Sequence, residues 1–262
     1  SKFTDNTQGS DITSGTTITM DGANANILAG MGVSGTGLAS GAYVASVASS
    51  SASPQEFVVS SRTGTVTGGS TLTFYSRGDD NVAIGLDALT AITTGGNNVA
   101  IGSGAGDTAT IMSNSILIGS DAGTAITTSD GADGTIAIGH QSLKALATAG
   151  ANTAIGWNAM LEHTGASNTV IGYAAMDKTG NVPTSSDNIF IGVNAGGGTW
   201  VSAVSNFNVG IGNGTMGGGM NGALHNLSVG YSSMSGLTEG ARNTCIGGGT
   251  GGTITTGSNN TI

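Results

Sequence analysis

From residue 81 onward one phrase recurs, N-x-x-I-G-x-x-A, and it leaves few folds open. It opens as Asn81-Val-Ala-Ile-Gly85 and Asn98-Val-Ala-Ile-Gly102, then Ser115-Ile-Leu-Ile-Gly119 and Thr135-Ile-Ala-Ile-Gly139. It continues as Asn152-Thr-Ala-Ile-Gly156, Asn168-Thr-Val-Ile-Gly172 and Asn188-Ile-Phe-Ile-Gly192. Asn208-Val-Gly-Ile-Gly212, Asn226-Leu-Ser-Val-Gly230 and Asn243-Thr-Cys-Ile-Gly247 complete ten copies, and the chain ends inside an eleventh, Asn260-Thr-Ile262. Successive glycines are 17, 17, 20, 17, 16, 20, 20, 18 and 17 residues apart. Such a unit is too short for a helix pair or a propeller blade. Its Gly, Thr and Asn also disfavour helix. A coil of about 17 residues fits a β-solenoid, with turns stacked about 4.8 Å apart. Ten coils make a rod of roughly 48 Å. The expected architecture is therefore all-β: a β-solenoid shaft over 79–262, preceded by a small β module over 1–78.

Side chains alternate across a strand, so the residue before each Gly and the residue two before it share a face. The larger residues of that face, Val82, Val99, Ile116, Ile136, Ile189 and Val209 with the Ile column, are expected inside the coil. The residue between them is small or apolar: Ala83, Ala100, Leu117, Ala137, Ala154, Val170, Phe190, Gly210, Ser228, Cys245. A strand apolar on both faces is buried on both. This reading puts Ala83, Ala100, Ala137 and Ala154 against neighbouring chains around a symmetry axis. The recurrent Gly implies positive φ or a close approach at a corner. The Asn column is expected to stack into an amide ladder. Leu89, Leu143, Met160, Met176, Met216 and Met234, four residues after the Gly, read as core.

These repeats resemble the N-T-A-I-G-x-x-A-L repeats of bacteriophage tail-fibre and tailspike shafts. In pattern they are also similar to the A-I-G repeats in the heads of trimeric autotransporter adhesins. The resemblance implies a homotrimer on a virion surface: a rigid spacer that contacts other virion proteins and a host glycan or protein. In phage fibres such repeats often precede a chaperone domain that is cleaved off, and the ending inside a repeat at Ile262 is read as a sign that more chain follows in the gene product. The alternative is a bacterial surface adhesin. A polysaccharide depolymerase and an ice-binding solenoid with paired threonines (Thr93-Thr94, Thr127-Thr128, Thr255-Thr256) stand behind it.

Composition narrows the functions. Residues 79–262 carry eleven acids and three bases, giving 3 − 11 = −8 of the total −9. Phosphate binding needs Lys and Arg, so nucleic acid is not an expected partner. No run of 18 apolar residues suggests membrane insertion. No enzyme and no cofactor are expected, because each catalytic signature has a plainer explanation. Gly210, Gly212 and Gly214 look like part of a dinucleotide loop, but the repeat already accounts for them. Gly102-Ser-Gly-Ala-Gly-Asp107 hints at a calcium-binding roll, without the nine-residue period. His140, His163 and His225 lack metal-ligand spacing. Cys245 reads as a small hydrophobe.

Residues 1–78 lack the phrase and read as short strands near 16–20, 42–48, 56–61 and 70–76. Their pattern Gly30-Met-Gly-Val-Ser-Gly-Thr-Gly-Leu38 resembles a small β module of phage structural proteins. Arg77-Gly78-Asp79 reads as the junction turn. The 20-residue spacings place extra residues near 128–134, 180–187 and 197–206, expected to loop outward. The last segment holds Trp200, a candidate receptor contact together with Asp130, Asp133 and Asp187. The alternative for Trp200 is packing on the solenoid, and for the aspartates, solvated loop carboxylates.

Overall fold

A computed structural model describes residues 2–7, 15–21, 27, 31–39, 42–47, 56–59, 65, 66, 68, 71–75, 80–93, 95–127, 132–180 and 184–262. The chain forms two compact units, Ser1–Asp79 and Asp80–Ile262. Both are all-β.

In the first unit, β1 (Lys2–Asn6), β2 (Thr17–Thr19), β3 (Gly32–Ser34), β4 (Val44–Val47), β5 (Glu56–Val59) and β6 (Thr71–Tyr75) make two antiparallel three-stranded sheets. Their orders are β1-β6-β3 and β2-β5-β4. Alternating apolar residues, among them Ile18, Val33, Val44, Phe57 and Leu72, form one core. Strands β1 and β3 were not legible in sequence. β1 (Lys2–Asn6) has no aliphatic residue to show an alternation, and β3 is three residues set among glycines.

The second unit is a parallel β-solenoid. Each coil gives one three-residue strand: β7 (Val82–Ile84), β8 (Val99–Ile101), β9 (Ile116–Ile118), β10 (Ile136–Ile138) and β11 (Thr153–Ile155). There follow β12 (Thr169–Ile171), β13 (Ile189–Ile191), β14 (Val209–Ile211), β15 (Leu227–Val229) and β16 (Thr244–Ile246). They stack in chain order as one ten-stranded sheet. Register holds through coils of unequal length: Thr153 pairs with Thr169 and Thr169 with Ile189, the same positions of the repeat. The extra residues are accommodated between strands.

The interior is lined by the middle residue of each strand, which reverses the expected facing. Ala100, Leu117, Ala137, Ala154, Val170, Phe190, Ser228 and Cys245 are fully buried within one chain. Ala83 shares their register on β7, the end strand of the sheet, and is exposed there. The proposed axis residues Ala100, Ala137 and Ala154 are thus coil core, packed with Ala105, Ala122, Leu143 and Met160. The bore takes Ala most often but also Leu117, Val170 and Phe190, while the flanking Ile and Val columns stand outside. Where Phe190 occupies the bore, the next coil carries Gly210, whose added Cβ would lie 2.7 Å from the Phe190 ring.

Two features explain the repeat's spelling. The Asn ladder forms as expected. Asn188 Oδ1 accepts from the backbone N–H of Asn208 (3.0 Å) and from its Nδ2 (3.1 Å). Asn188 Nδ2 donates to Asn168 Oδ1 (3.1 Å) and to the Ser205 carbonyl (2.9 Å). The buried amides satisfy one another and two backbone groups per coil, the condition under which buried polar groups stabilise. Where Ser115 and Thr135 replace Asn, the Thr135 hydroxyl is buried without a partner. The second feature is the turn. The Leu/Met column has left-handed backbone, from φ 44° at Met216 to φ 55° at Met160. β-Branched residues fit that region poorly, so the column uses Leu, Met or Gly.

Candidate interaction surface

The outward face of the ten-stranded sheet is the feature that most calls for a function. It begins with Val82, Val99, Ile116, Ile136, Thr153 and their successors, and its second column is the residue before each Gly, Ile in nine coils and Val229 in the other. None of the Ile column is buried: Ile84 is 58% exposed, Ile171 36% and Ile246 62%. The residue after each Gly has the same parity and forms a third column. It carries Leu86, His140, Trp157, Tyr173, Val193 and Tyr231 on their respective coils, with Trp157 51% and Tyr231 72% exposed. The sequence reading missed this column; its signal was the alternation continued one step past the Gly. No Asp, Glu, Lys or Arg occupies any of the three columns.

Two pairs of rings stack on each other. His140 and Trp157 stack with centroids 4.2 Å apart and planes at 22°, and Phe207 and His225 stack at 4.9 Å and 6°. Each pair joins adjacent coils. A ring stacked on its neighbour uses a face that a pyranose would need, and its edge remains free for apolar packing.

The expected receptor residues do not gather into a site. Trp200 is fully buried, a correction to its expected outward position. Its Nε1 donates to the Gly196 carbonyl (2.9 Å), and its ring meets Phe190 edge-on at 6.1 Å and His163 at 6.4 Å. The longer coil has room inside for a large ring, and removing about 200 Å2 of aromatic surface from water favours that placement. The outward part of 197–206 is instead Val201, Ser202, Ala203 and Val204. Asp133 accepts from the Ser113 backbone N–H (2.7 Å) through Oδ1, a structural tie between coils. Asp187 is exposed and holds a left-handed turn position, φ 60°. Asp130, Thr94, Thr128 and Arg77-Gly78-Asp79 lie outside the described residues.

Among the described residues no three His, Cys, Asp or Glu side chains are placed to hold a metal. Cys245 is a free, buried thiol pushed upward in pKa by that burial. No helix among the described residues is long and apolar enough to cross a membrane.

His163 is fully buried between coils. Its Nε2 donates to the Ser185 carbonyl (2.9 Å), leaving Nδ1 to accept from the Thr179 hydroxyl (2.8 Å). Burial lowers its pKa to about 4, against a smaller upward pull from the Ser185 carbonyl. The native state therefore holds neutral imidazole while the unfolded chain takes a proton below pH about 6.5. No stability is lost above that pH. Between pH 6.5 and 4 the shaft is expected to lose roughly 3 kcal/mol on this account. Urea unfolding at pH 7.5 and pH 4.5 checks it: His163→Gln should flatten the fall between the two relative to the parent, and an equal fall in both would rule the histidine out.

No protein-family model, no curated protein and no solved structure matches the chain.

Proposed function

We propose that the chain is a shaft segment of a homotrimeric fibre on a virion surface, acting as a rigid spacer between the particle and the host. The observation that carries this reading is a ten-stranded parallel stack in unbroken register, tied by a buried amide ladder. Each coil contacts only its neighbours, so such a stack gains length by adding repeats. Its nine intervals span roughly 43 Å. The repeat phrase resembles those of tail-fibre shafts, and the low charge fits a structural role. Other virion proteins and a host glycan or protein are the expected contacts.

Antibodies raised against residues 80–262 test the reading. They are expected to decorate fibres on purified particles in electron micrographs and to slow adsorption to host cells. Decoration of the bacterial surface, with particles unlabelled, would replace the virion fibre by a cell-surface adhesin.

A further inference from the structure

Resting on that reading, we infer that the outward Ile/Val face of the solenoid is the surface through which copies of this chain assemble, side by side and parallel. Periodicity, charge and area all point to a second copy of the chain as the occupant. The face repeats every coil at about 4.8 Å. A parallel copy offers the same repeat, so Ile meets Ile at level after level. A partner without that repeat would match one or two coils.

The second argument is charge. Residues 79–262 carry −8, and none of those charges falls in the three columns of this face. Copies joined here keep their acids turned outward and their desolvated surface free of unpaired charge.

The third is area. Four residue steps across and nine coil intervals along give a face of roughly 13 by 43 Å. That projected area is about 560 Å2; it is interrupted by Thr153, Thr169, Thr244, Ser103, Ser120 and Asn213, and its apolar share falls within the range of the largest apolar patch on a typical monomer. It approaches the roughly 800 Å2 per partner of a standard interface before side-chain relief is counted. The coil's own core, with Ala137, Leu143 and Met160, is buried without any partner. Coil folding and assembly are therefore separable by substitution.

Sedimentation equilibrium of the full chain at micromolar concentration is expected to give three times its 25.2 kDa. Ile138→Asp with Ile155→Asp should weaken association at least about a hundredfold, since each copy would bury two unpaired carboxylates. Ser202→Asp, on an exposed turn away from the face, should leave it unchanged. If the double variant does not fold, a short thiol crosslinker decides. Ile155→Cys should join copies, whereas Ser202→Cys should not, and the native Cys245 is buried. A monomeric parent chain overturns the proposal. So does an oligomer in which Ile155→Cys copies fail to crosslink; that result moves the interface elsewhere and leaves the fibre reading to the antibody experiment.

Discussion

Gly192→Ala is expected to break the stack in its middle. Gly192 has φ +138°, where L side chains are strained, and an added Cβ would lie 2.6 Å from both the carbonyl carbon and oxygen of Gly212. The obstacle is the backbone of the next coil, which cannot swing away as a flexible side chain would. Strain of about 1–3 kcal/mol from the backbone region and a similar overpacking cost give a total near 4 kcal/mol. Because coils are coupled only to their neighbours, the damage should separate the shaft into independently melting parts. Gly134→Ala is the control. Its φ is +70°, but nothing lies within 4 Å of the added Cβ, so only about 1 kcal/mol of backbone strain applies. Urea unfolding should show a much larger midpoint shift, and a broader transition, for Gly192→Ala than for Gly134→Ala. Equal shifts would mean that close stacking is not why the glycine recurs.

Ala137→Glu should be the most damaging single charge in the shaft. Ala137 is fully buried and pairs in register with Leu117 and Ala154. A glutamate there has neither room nor partner, and a loss of about 5 kcal/mol or more is expected from an isolated buried carboxylate and the overpacking it brings. One residue further on, the effect changes kind. Ile138 points outward, so an aspartate there is hydrated in a single chain and harmful only on assembly. Circular dichroism melts should thus show Ala137→Glu unfolded or melting far lower, with the Ile138→Asp and Ile155→Asp chain retaining its coil. A folded, soluble Ala137→Glu monomer would restore Ala137 to an intermolecular position and contradict the facing described here.

The repeat carried the solenoid in plain view. Its period, the fixed Gly, the Asn ladder and the Leu/Met core column were all readable, because each has a local physical cause that recurs ten times. Which strand face points inward was not readable from polarity, since both faces are apolar. The closed coil places the middle column, from Ala100 and Ala137 to Phe190, inside and leaves the Ile84-to-Ile246 column outside. Trp200 was misplaced for a related reason. A longer coil was expected to eject its extra residues, yet Trp200, in the coil after Gly192, turns inward and meets Phe190 and His163 of the two preceding coils. The aromatic third column was overlooked because the alternation was followed only as far as the Gly. Left-handed turn positions such as Asn97, Asp187 and Arg242 share no residue type, so their common backbone left no spelling to find.

A high-resolution structure of the protein as it assembles in solution tests the central claim most directly. The account predicts copies running parallel, with the Ile84-to-Ile246 column of each chain covered by its neighbours. It also predicts Ala137 enclosed within its own coil and the Asn188–Asn208 amide contact intact. An assembly in which the Ile column faces solvent, or in which the Ala column meets another chain, would contradict it.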